Sequence, residues 1–210
     1  MSEEILRRYT SLPALFFILR EKKISLLDPR SWDDKNDSYY LSLYKEKRHL
    51  RTVLALCFTQ VAERYDHWRV FTDGSSGVCI KFWRSKLLKA IKQENGVRSK
   101  SVTYLTLNQI RKEIPSVSEL PFLKRYAFQN EEEFRIIFES AKQSLTKLDI
   151  PIPIASIESI SLSPWLPSEL RMHVIGALQL IDDCSNLPIT RSTLIDNDAW
   201  KRLGEQAVAQ

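Results

Sequence analysis

Hydrophobic positions in this chain switch between strand-like alternation and helical spacing. Residues 5–9 read as a short strand, and apolar residues at helical spacing then predict a helix over residues 12–23. Ser11 stands before that helix as an N-cap, and a second strand is predicted over residues 24–27 before Asp28-Pro29 stops it. The chain therefore opens with a strand–helix–strand unit.

The same pattern continues through the rest of the chain. Apolar, β-prone runs predict strands at residues 53–59, 78–83, 97–105, 134–138, 157–162 and 187–195. Helices are predicted at residues 38–50, 86–93 and 197–208, in a short segment capped by Asn108, and from Pro167 along an apolar stripe formed by Leu170, Val174, Leu178 and Ile181. Residues 120–128 are predicted to be helical or a helical turn, and residues 62–71 stay ambiguous.

This mixture predicts an α+β fold with a twisted, mostly antiparallel sheet flanked by helices. Residues 1–210 carry no internal repeat or linker signal, so we expect one domain. Its core is expected at about residues 5–165, with a helical and strand extension over residues 166–210.

Composition places the protein among ordinary globular chains. Hydrophobic residues make up 43% and charged residues 27%, and three scattered cysteines cannot form a disulfide framework. The N-terminus lacks a signal-peptide pattern, and the longest apolar run, residues 12–19, is about half the length of a membrane span. These features predict a cytoplasmic protein with no membrane partner.

Charge is unevenly distributed, with +3 over residues 1–60, +7 over residues 61–125 and −5 over residues 126–210. A basic middle third can attract the phosphates of a nucleic acid or a nucleotide. Because these Lys and Arg residues are dispersed, a solvated surface is the favoured alternative for nucleic acid.

General catalytic motifs are missing from the sequence. It has no glycine-rich phosphate loop, no Cys-x-x-Cys and no Gly-x-Ser-x-Gly, and its three histidines are far apart. We therefore expect no metal site. Asp33, Asp34 and Asp37 leave open a hydrolase that uses a divalent metal, although Asp-rich turns are usually only turns.

Three successive carboxylates lead into an apolar strand in the segment Asn130-Glu131-Glu132-Glu133-Phe134-Arg135. The period of two places Glu131, Glu133 and Arg135 on one face, where paired carboxylates can bind a hydroxyl or stabilise a developing cation. From residue chemistry alone, a solvated, charged strand end is the favoured interpretation.

The first strand offers a second candidate site. The segment Arg7-Arg8-Tyr9-Thr10-Ser11 leads into a helix N-terminus, and such a group can bind phosphate by charge and by backbone N–H groups. A surface arginine followed by an ordinary N-cap is the alternative. Trp32 and Trp68 can stack on a base or a nicotinamide, although most tryptophans fill the core.

In their order, these pieces resemble domain-of-unknown-function family 2971. The matching pieces are Arg-Tyr-Thr-Ser at residues 8–11, the helix leading to Ile-Ser-Leu at 24–26, Trp-Asp-Asp at 32–34, Cys-Phe-Thr-Gln at 57–60, His-Trp at 67–68, Gly-Val-Cys-Ile-Lys-Phe at 77–82 and Asn-Glu-Glu-Glu-Phe-Arg at 130–135. The resemblance covers roughly residues 7–165, and it lies in the succession of short motifs.

That family is similar in turn to ADP-ribosyltransferases, which implies a split sheet and NAD as a substrate. By this resemblance Glu133 is the catalytic carboxylate, Glu131 orients the acceptor or the attacking group, and Arg8 contacts NAD beside Tyr9, Thr10 and Ser11. Trp32 and Trp68 join the expected cofactor-binding set. The Ser-Thr-Ser strand motif of such enzymes has only partial substitutes here.

The leading hypothesis is transfer of ADP-ribose from NAD to a macromolecule, either nucleic acid or protein. The resemblance implies a bacterial toxin or phage-defence setting, with an antitoxin or another regulatory partner. A catalytically inactive module of the same fold, which binds a nucleotide or a protein, is the alternative. The enzyme hypothesis requires Arg8 and Glu133 to face one cleft.

Overall fold

The computed structural model describes residues 3–208, which form eleven β-strands and seven α-helices. The strands are β1 (Ile5–Ser11), β2 (Lys23–Leu27), β3 (Thr52–Thr59), β4 (Gly77–Trp83), β5 (Val97–Ser101), β6 (Thr103–Leu105), β7 (Leu123–Arg125), β8 (Glu133–Ser140), β9 (Lys147–Pro151), β10 (Ile157–Leu162) and β11 (Ile189–Arg191). The helices are α1 (Leu12–Glu21), α2 (Lys35–Lys47), α3 (Tyr65–Phe71), α4 (Arg84–Ile91), α5 (Leu107–Lys112), α6 (Ser168–Gln179) and α7 (Asp198–Val208). Short 3₁₀ helices lie at Pro29–Ser31, Gly74–Ser76, Val117–Phe122, Tyr126–Glu131 and Ile154–Ser156.

Nine strands form one sheet in the order β11-β10-β4-β1-β3-β2-β9, with β8 paired to β3 and β5 paired to β8. Every pairing in this sheet is antiparallel except that of β10 with β11. Strands β6 and β7 form a separate parallel pair. The predicted α+β fold with a mostly antiparallel sheet is confirmed.

The sheet divides at β3. Strand β8 pairs with β3 along its whole length, from Thr52 opposite Ser140 to Thr59 opposite Glu133. On the other edge, β1 meets β3 through Thr59, and β2 meets it through Ala55. Because β1 and β2 reach β3 at different points, the backbone between those points borders a cleft.

Alternation along β3 and β8 separates the core from the cleft. Leu54 and Phe58 of β3, with Phe134 and Ile136 of β8, lie in the main hydrophobic core. Their neighbours Cys57, Thr59, Glu133 and Arg135 therefore lie on the opposite face of the sheet, the face from which the cleft opens.

Helix α1 covers the core because its apolar residues lie on one stripe. Leu15, Ile18 and Leu19 are buried, and the Ser11 side chain accepts a hydrogen bond from the backbone N of Ala14 (3.4 Å). Lys22 ends the helix in a left-handed conformation (φ 52°).

Within residues 3–208, none of the helices combines the length and apolar character needed to cross a membrane.

Several predicted elements differ from the structure. Residues 120–128, predicted to be helical or a helical turn, contain parts of two 3₁₀ helices, Val117–Phe122 and Tyr126–Glu131, with the unpredicted strand β7 between them. The strand predicted at residues 97–105 is divided into β5 and β6. Strand β9 was not predicted, and the strand predicted at residues 187–195 is limited to β11.

The C-terminal extension contributes to the core up to β11. Leu178, Cys184, Leu187 and Ile189 are buried in the main core cluster, and β11 extends the sheet beside β10. Leu170, at the start of the predicted stripe of α6, is exposed instead. Helix α7 buries none of its described residues.

Candidate active site

A cavity of about 470 Å³ opens at the divided region of the sheet. Such a volume lies in the usual range for small-molecule sites. Its walls come from β1, the 29–34 loop with the start of α2, the end of β3, the end of α3 and the 124–133 segment. The lining residues are Arg7, Arg8, Tyr9, Ser31, Trp32, Asp33, Asp34, Asp37, Cys57, Phe58, Thr59, Val70, Phe71, Lys124, Phe128, Glu131 and Glu133.

A fully buried guanidinium group supports one wall of this cavity. Arg135 Nε donates to Glu133 Oε1 (2.7 Å), and its Nη2 donates to Glu133 Oε2 (3.0 Å). Its Nη1 and Nη2 also donate to the two oxygens of Asp37 (2.8 and 2.6 Å), and Nη1 reaches the carbonyl of Pro121 (2.9 Å). The Trp32 ring covers the group at 5.0 Å. Arg135 therefore holds both carboxylates in fixed positions.

Lys124 joins this cluster from β7. Its Nζ lies 2.6 Å from Glu131 Oε2, 3.4 Å from Glu133 Oε2 and 3.8 Å from Asp37 Oδ2. It also lies 4.9 Å from the centre of the Phe128 ring. The cluster thus contains three carboxylates and two cations at the cavity wall.

The two glutamates that line the cavity, Glu131 and Glu133, differ in their protonation equilibria. Burial alone favours protonated Glu133, but the charge and hydrogen bonds of Arg135, helped by Lys124, lower the pKa of Glu133 to about 2. Burial raises the pKa of Glu131 against the opposing effect of Lys124, and the neighbouring Glu133 adds to the rise. Glu133 is therefore a permanent anion at neutral pH, and Glu131 is the carboxylate more ready to accept a proton.

A tight turn places both glutamates at the cavity. Glu132 takes a left-handed conformation (φ 40°) between the 3₁₀ helix Tyr126–Glu131 and β8. Thr59 Oγ1 donates to the Glu131 carbonyl (2.6 Å), and the backbone N of Glu133 donates to the Tyr104 hydroxyl oxygen (2.8 Å). The predicted common placement of Glu131 and Glu133 thus arises from this turn, because Glu131 precedes the strand.

Arg8 faces the same cavity from β1. Its Nη1 donates to the carbonyl of Cys57 (3.2 Å), which lies between the two points where β1 and β2 meet β3. In the β3–β8 pair Cys57 lies opposite Arg135, and the next residue on the same face of β3, Thr59, lies opposite Glu133. The structure therefore brings Arg8 and Glu133 into one cleft. Burial lowers the pKa of Arg8 from its ordinary value.

The other residues of the predicted cofactor-binding set are divided. Tyr9 and Trp32 line the cavity. Thr10 lies in the ladder opposite Val78, and Ser11 caps α1, and neither of the two lines the cavity.

Trp68 requires a correction. It is completely buried, packs edge-on against Tyr9 and donates its Nε1 to Glu63 (2.6 Å). A ring enclosed on both faces has no surface on which a base can stack. Trp68 therefore supports Tyr9 from behind instead of contacting a ligand.

Sequence reasoning did not name Lys124, and it did not predict that Arg135 pairs with Asp37 beside the glutamates. The sequence did hold a signal for such pairing, because Glu133 and Arg135 alternate with apolar residues on one strand and a charge buried there needs a partner. The identity of those partners, Asp37 and Lys124, depends on chain segments distant in sequence.

Two of the three aspartates proposed for a metal hydrolase, Asp34 and Asp37, have other contacts. Both Asp37 oxygens are bound by Arg135, and Asp34 Oδ1 accepts from the backbone N of Asn36 (3.0 Å) and of Asp37 (3.3 Å). Over residues 3–208, no group of three or more His, Cys, Asp or Glu side chains is arranged to hold a metal ion.

Comparison with known proteins extends these observations. A profile of the family described as "Protein of unknown function (DUF2971)" matches residues 67–136, so the predicted resemblance is confirmed over that segment. No curated protein sequence matches the chain.

Three structures of DarT from Thermus sp. 2.9 show a similar fold. The complex with carba-NAD+ has a TM-score of 0.44 at 11% identity, covering 91% of this chain and 97% of DarT. The NAD+ complex has a TM-score of 0.43 at 10% identity, with 91% and 96% coverage. The complex with ADP-ribosylated ssDNA has a TM-score of 0.43 at 12% identity, with 90% and 94% coverage.

Proposed function

We propose that this protein transfers ADP-ribose from NAD to a macromolecular acceptor. The observation that carries the proposal is that Arg8, Glu131 and Glu133 line the same cavity. Those residues come from opposite sides of the divided sheet, where β1 and β8 flank β3. A cationic wall and an anionic wall facing one space suit a substrate that carries a diphosphate and develops positive charge during reaction.

The cavity has groups that fit the parts of NAD. Arg7 and Arg8 supply guanidinium donors for the diphosphate. Trp32, Phe71 and Phe128 supply aromatic surface for the nicotinamide or adenine rings. The fit therefore rests on this chain's own side chains.

The reaction breaks the bond between the ribose C1′ and the nicotinamide nitrogen. Nicotinamide leaves with the bonding electron pair, so positive charge develops on the ribose. With all five groups ionised, Asp37, Glu131, Glu133, Lys124 and Arg135 carry a net charge of −1. A fixed anion beside the ribose stabilises this developing cation.

The two glutamates take different tasks in this reaction. Glu133 stays ionised and stabilises the ribose cation, and it offers an acceptor for a ribose hydroxyl. Glu131 receives the proton of the attacking acceptor group as the new bond to C1′ forms, and its raised pKa suits that step.

For the acceptor we propose a nucleic acid before a protein. Residues 61–125 carry a net charge of +7, and exposed Tyr65 and Phe71 lie on α3, whose end borders the cavity. Arg69 lies over the rings of Tyr65 (5.3 Å) and Trp165 (4.2 Å). Cations mixed with exposed aromatic rings suit an unpaired nucleic-acid strand.

The biological setting is also part of this proposal. By the resemblance to family 2971, we propose a bacterial toxin or phage-defence protein that acts in the cytoplasm. An antitoxin or another regulatory partner would then limit its activity.

One observation favours the alternative of a catalytically inactive binding module. Arg135 binds both oxygens of Glu133, which leaves this carboxylate fewer free positions for a substrate hydroxyl. Stabilisation by NAD without any turnover would identify such a module.

The test is incubation with labelled NAD in the presence of single-stranded oligonucleotides, or of cell extract to cover protein acceptors. We expect label on a nucleic acid, with Glu133→Gln lowering the rate at least ~10²-fold because a neutral amide does not stabilise the ribose cation. Glu132→Gln is the matched control, since Glu132 is exposed and lies outside the cavity. The proposal would be refuted if the wild type, under every activating condition tried, showed no label transfer and no loss of NAD.

A further inference from the structure

His67 is a buried histidine of α3 that has no part in the proposed reaction and does not line the cavity. Its Nε2 lies 3.3 Å from the carbonyl oxygen of Asn130. Asn130 directly precedes Glu131 in the chain. This hydrogen bond therefore joins α3 to the turn that carries the two cavity glutamates.

One state of the imidazole ring fits this position. A carbonyl oxygen only accepts, so Nε2 of His67 carries the hydrogen and donates it. The other ring nitrogen, Nδ1, is buried without a hydrogen-bond partner among residues 3–208, so a hydrogen placed there would have no acceptor. Burial also lowers the pKa of His67 from its ordinary value. The ring is therefore neutral at pH 7, with Nε2 as its donor.

Three walls of the cavity meet at this ring. His67 packs edge-on against Tyr9 of β1, with 5.5 Å between ring centres, and lies 5.7 Å from the Phe71 ring at the end of α3. Tyr9 and Phe71 both line the cavity. The hydrogen bond to Asn130 adds the third wall, so the ring packing and the donor of His67 are two separable contributions.

Glu131 depends on such a bond more than Glu133 does. Glu133 lies in β8, where the ladder with β3 and two hydrogen bonds from Arg135 fix it. Glu131 precedes the strand, and its backbone is held by two side-chain donors, because Thr59 Oγ1 binds its own carbonyl and His67 Nε2 binds the carbonyl before it.

Packing supplies little of the hold on this turn. Asn130 and Glu132, the residues on either side of Glu131, are both exposed. Hydrogen bonds to the backbone therefore determine where the Glu131 carboxylate lies in the cavity.

We propose that His67 is a positioning residue for Glu131, which it holds in place through the carbonyl of Asn130. The inference rests on the proposed function and deepens it, because Glu131 is the group that receives the proton of the attacking acceptor. Misplacement of a reacting group lowers the rate of the chemical step more than it lowers the affinity for the substrate. Loss of the His67 donor should therefore lower kcat and leave the affinity for NAD close to the wild-type value.

The variants His67→Gln and His67→Met form a matched pair. Their side chains are unbranched and similar in length, both lack the ring, and only Gln has an N–H donor. We expect kcat of His67→Gln to exceed that of His67→Met by about tenfold or more in the labelled-NAD assay. His67→Phe keeps a ring against Tyr9 and Phe71 without the donor, and it should lose kcat as His67→Met does.

His173→Phe is the control for replacement of a histidine, since His173 is exposed on α6 and lies outside the cavity. Its kcat should equal that of the wild type. Isothermal titration of each variant with NAD separates an effect on kcat from an effect on binding.

A double-mutant cycle with Glu131→Gln tests whether His67 acts through Glu131. His67→Met should cause little further loss of kcat once Glu131 has been replaced. Equal kcat in His67→Gln and His67→Met, wild-type kcat in His67→Phe, or full additivity in the cycle would overturn the inference while leaving the proposed function intact. Absence of label transfer with the wild type would instead overturn both.

Amide hydrogen exchange reports the same bond without turnover. The backbone N of Glu132 donates to the Gln129 carbonyl (3.1 Å) inside the turn. Exchange at Glu132 should be faster in His67→Met than in His67→Gln, because only the Gln side chain still holds the turn against α3. Equal exchange in the two variants would overturn the inference.

Discussion

Arg135 is the residue around which the candidate site is organised. Its five N–H groups are directed to two carboxylates and one carbonyl, and its side chain is fully buried. A buried ion pair gains little net stability, since desolvation offsets most of the attraction. The pair of Arg135 and Glu133 instead fixes the position of the Glu133 carboxylate, because this carboxylate can move only by breaking two charge-assisted hydrogen bonds.

The lowered pKa of Glu133 predicts a specific loss of stability in acid. Its ordinary value is 4.5 and its value in the folded protein is about 2. A depressed pKa gives stability that is present above pH 4.5 and is lost as the pH falls toward 2. The contribution is roughly 3 kcal/mol at most.

Urea unfolding of the wild type and Glu133→Gln between pH 6 and pH 3 measures this contribution. We expect the difference in unfolding free energy between the two proteins to shrink as the pH falls, because the variant lacks the titrating group. A difference that stays constant over this range would show that Glu133 has an ordinary pKa.

At the scale of the element, β8 joins core and site through its alternation. Phe134 and Ile136 face the hydrophobic core, while Glu133 and Arg135 face the cavity side. Strand β5 covers the outer edge of β8, and the turn before β5 contains Gly96 in a left-handed conformation (φ 86°). That turn fixes the position of β5 because Glu139 N donates to the Gly96 carbonyl (3.0 Å).

Gly96→Ala should therefore destabilise the protein by about 1 kcal/mol or more. A Cβ at this position would lie 2.6 Å from the backbone oxygen of Glu139, and the positive φ adds strain. Gly176→Ala is the matched control, because it lies within α6 with nothing within 4 Å of the added Cβ.

Urea unfolding compares the two variants with the wild type. The helical control should be neutral or stabilised by up to about 1 kcal/mol. Equal effects of the two substitutions would contradict the role assigned to the turn.

At the scale of the whole molecule, the C-terminal part divides into a structural portion and an external helix. Residues up to β11 extend the sheet and place Leu178, Cys184 and Leu187 in the core. Helix α7 buries none of its described residues, and Trp200 and Leu203 are exposed. The fold and cavity should therefore be independent of α7.

Removal of residues 197–210 should change the free energy of unfolding by less than about 1 kcal/mol, as for other exposed positions. Removal of residues 168–210 should abolish cooperative unfolding, since each buried Leu or Ile is worth about 1.5–3 kcal/mol against a total stability of about 5–15 kcal/mol. Circular dichroism in a urea series distinguishes these outcomes. A large loss of stability from the shorter deletion would assign α7 a packing role.

Much of the secondary structure was predictable because local pattern dominates it. Strand β10 was predicted with its observed bounds, and β3, β4 and α7 were predicted to within a residue or two. The differences fall where local signals are weak, as in residues 120–128, where a short strand, β7, separates two 3₁₀ helices.

The sequence by itself determined most of the element types, the α+β class and the carboxylates at the start of β8, because hydrophobic period and charge alternation are local properties. Only the tertiary structure decided which charges pair. Asp37 and Arg135 are 98 residues apart, and Arg8 meets the Cys57 carbonyl across the division of the sheet. It also assigned Trp68 to the core, because burial depends on how distant segments pack.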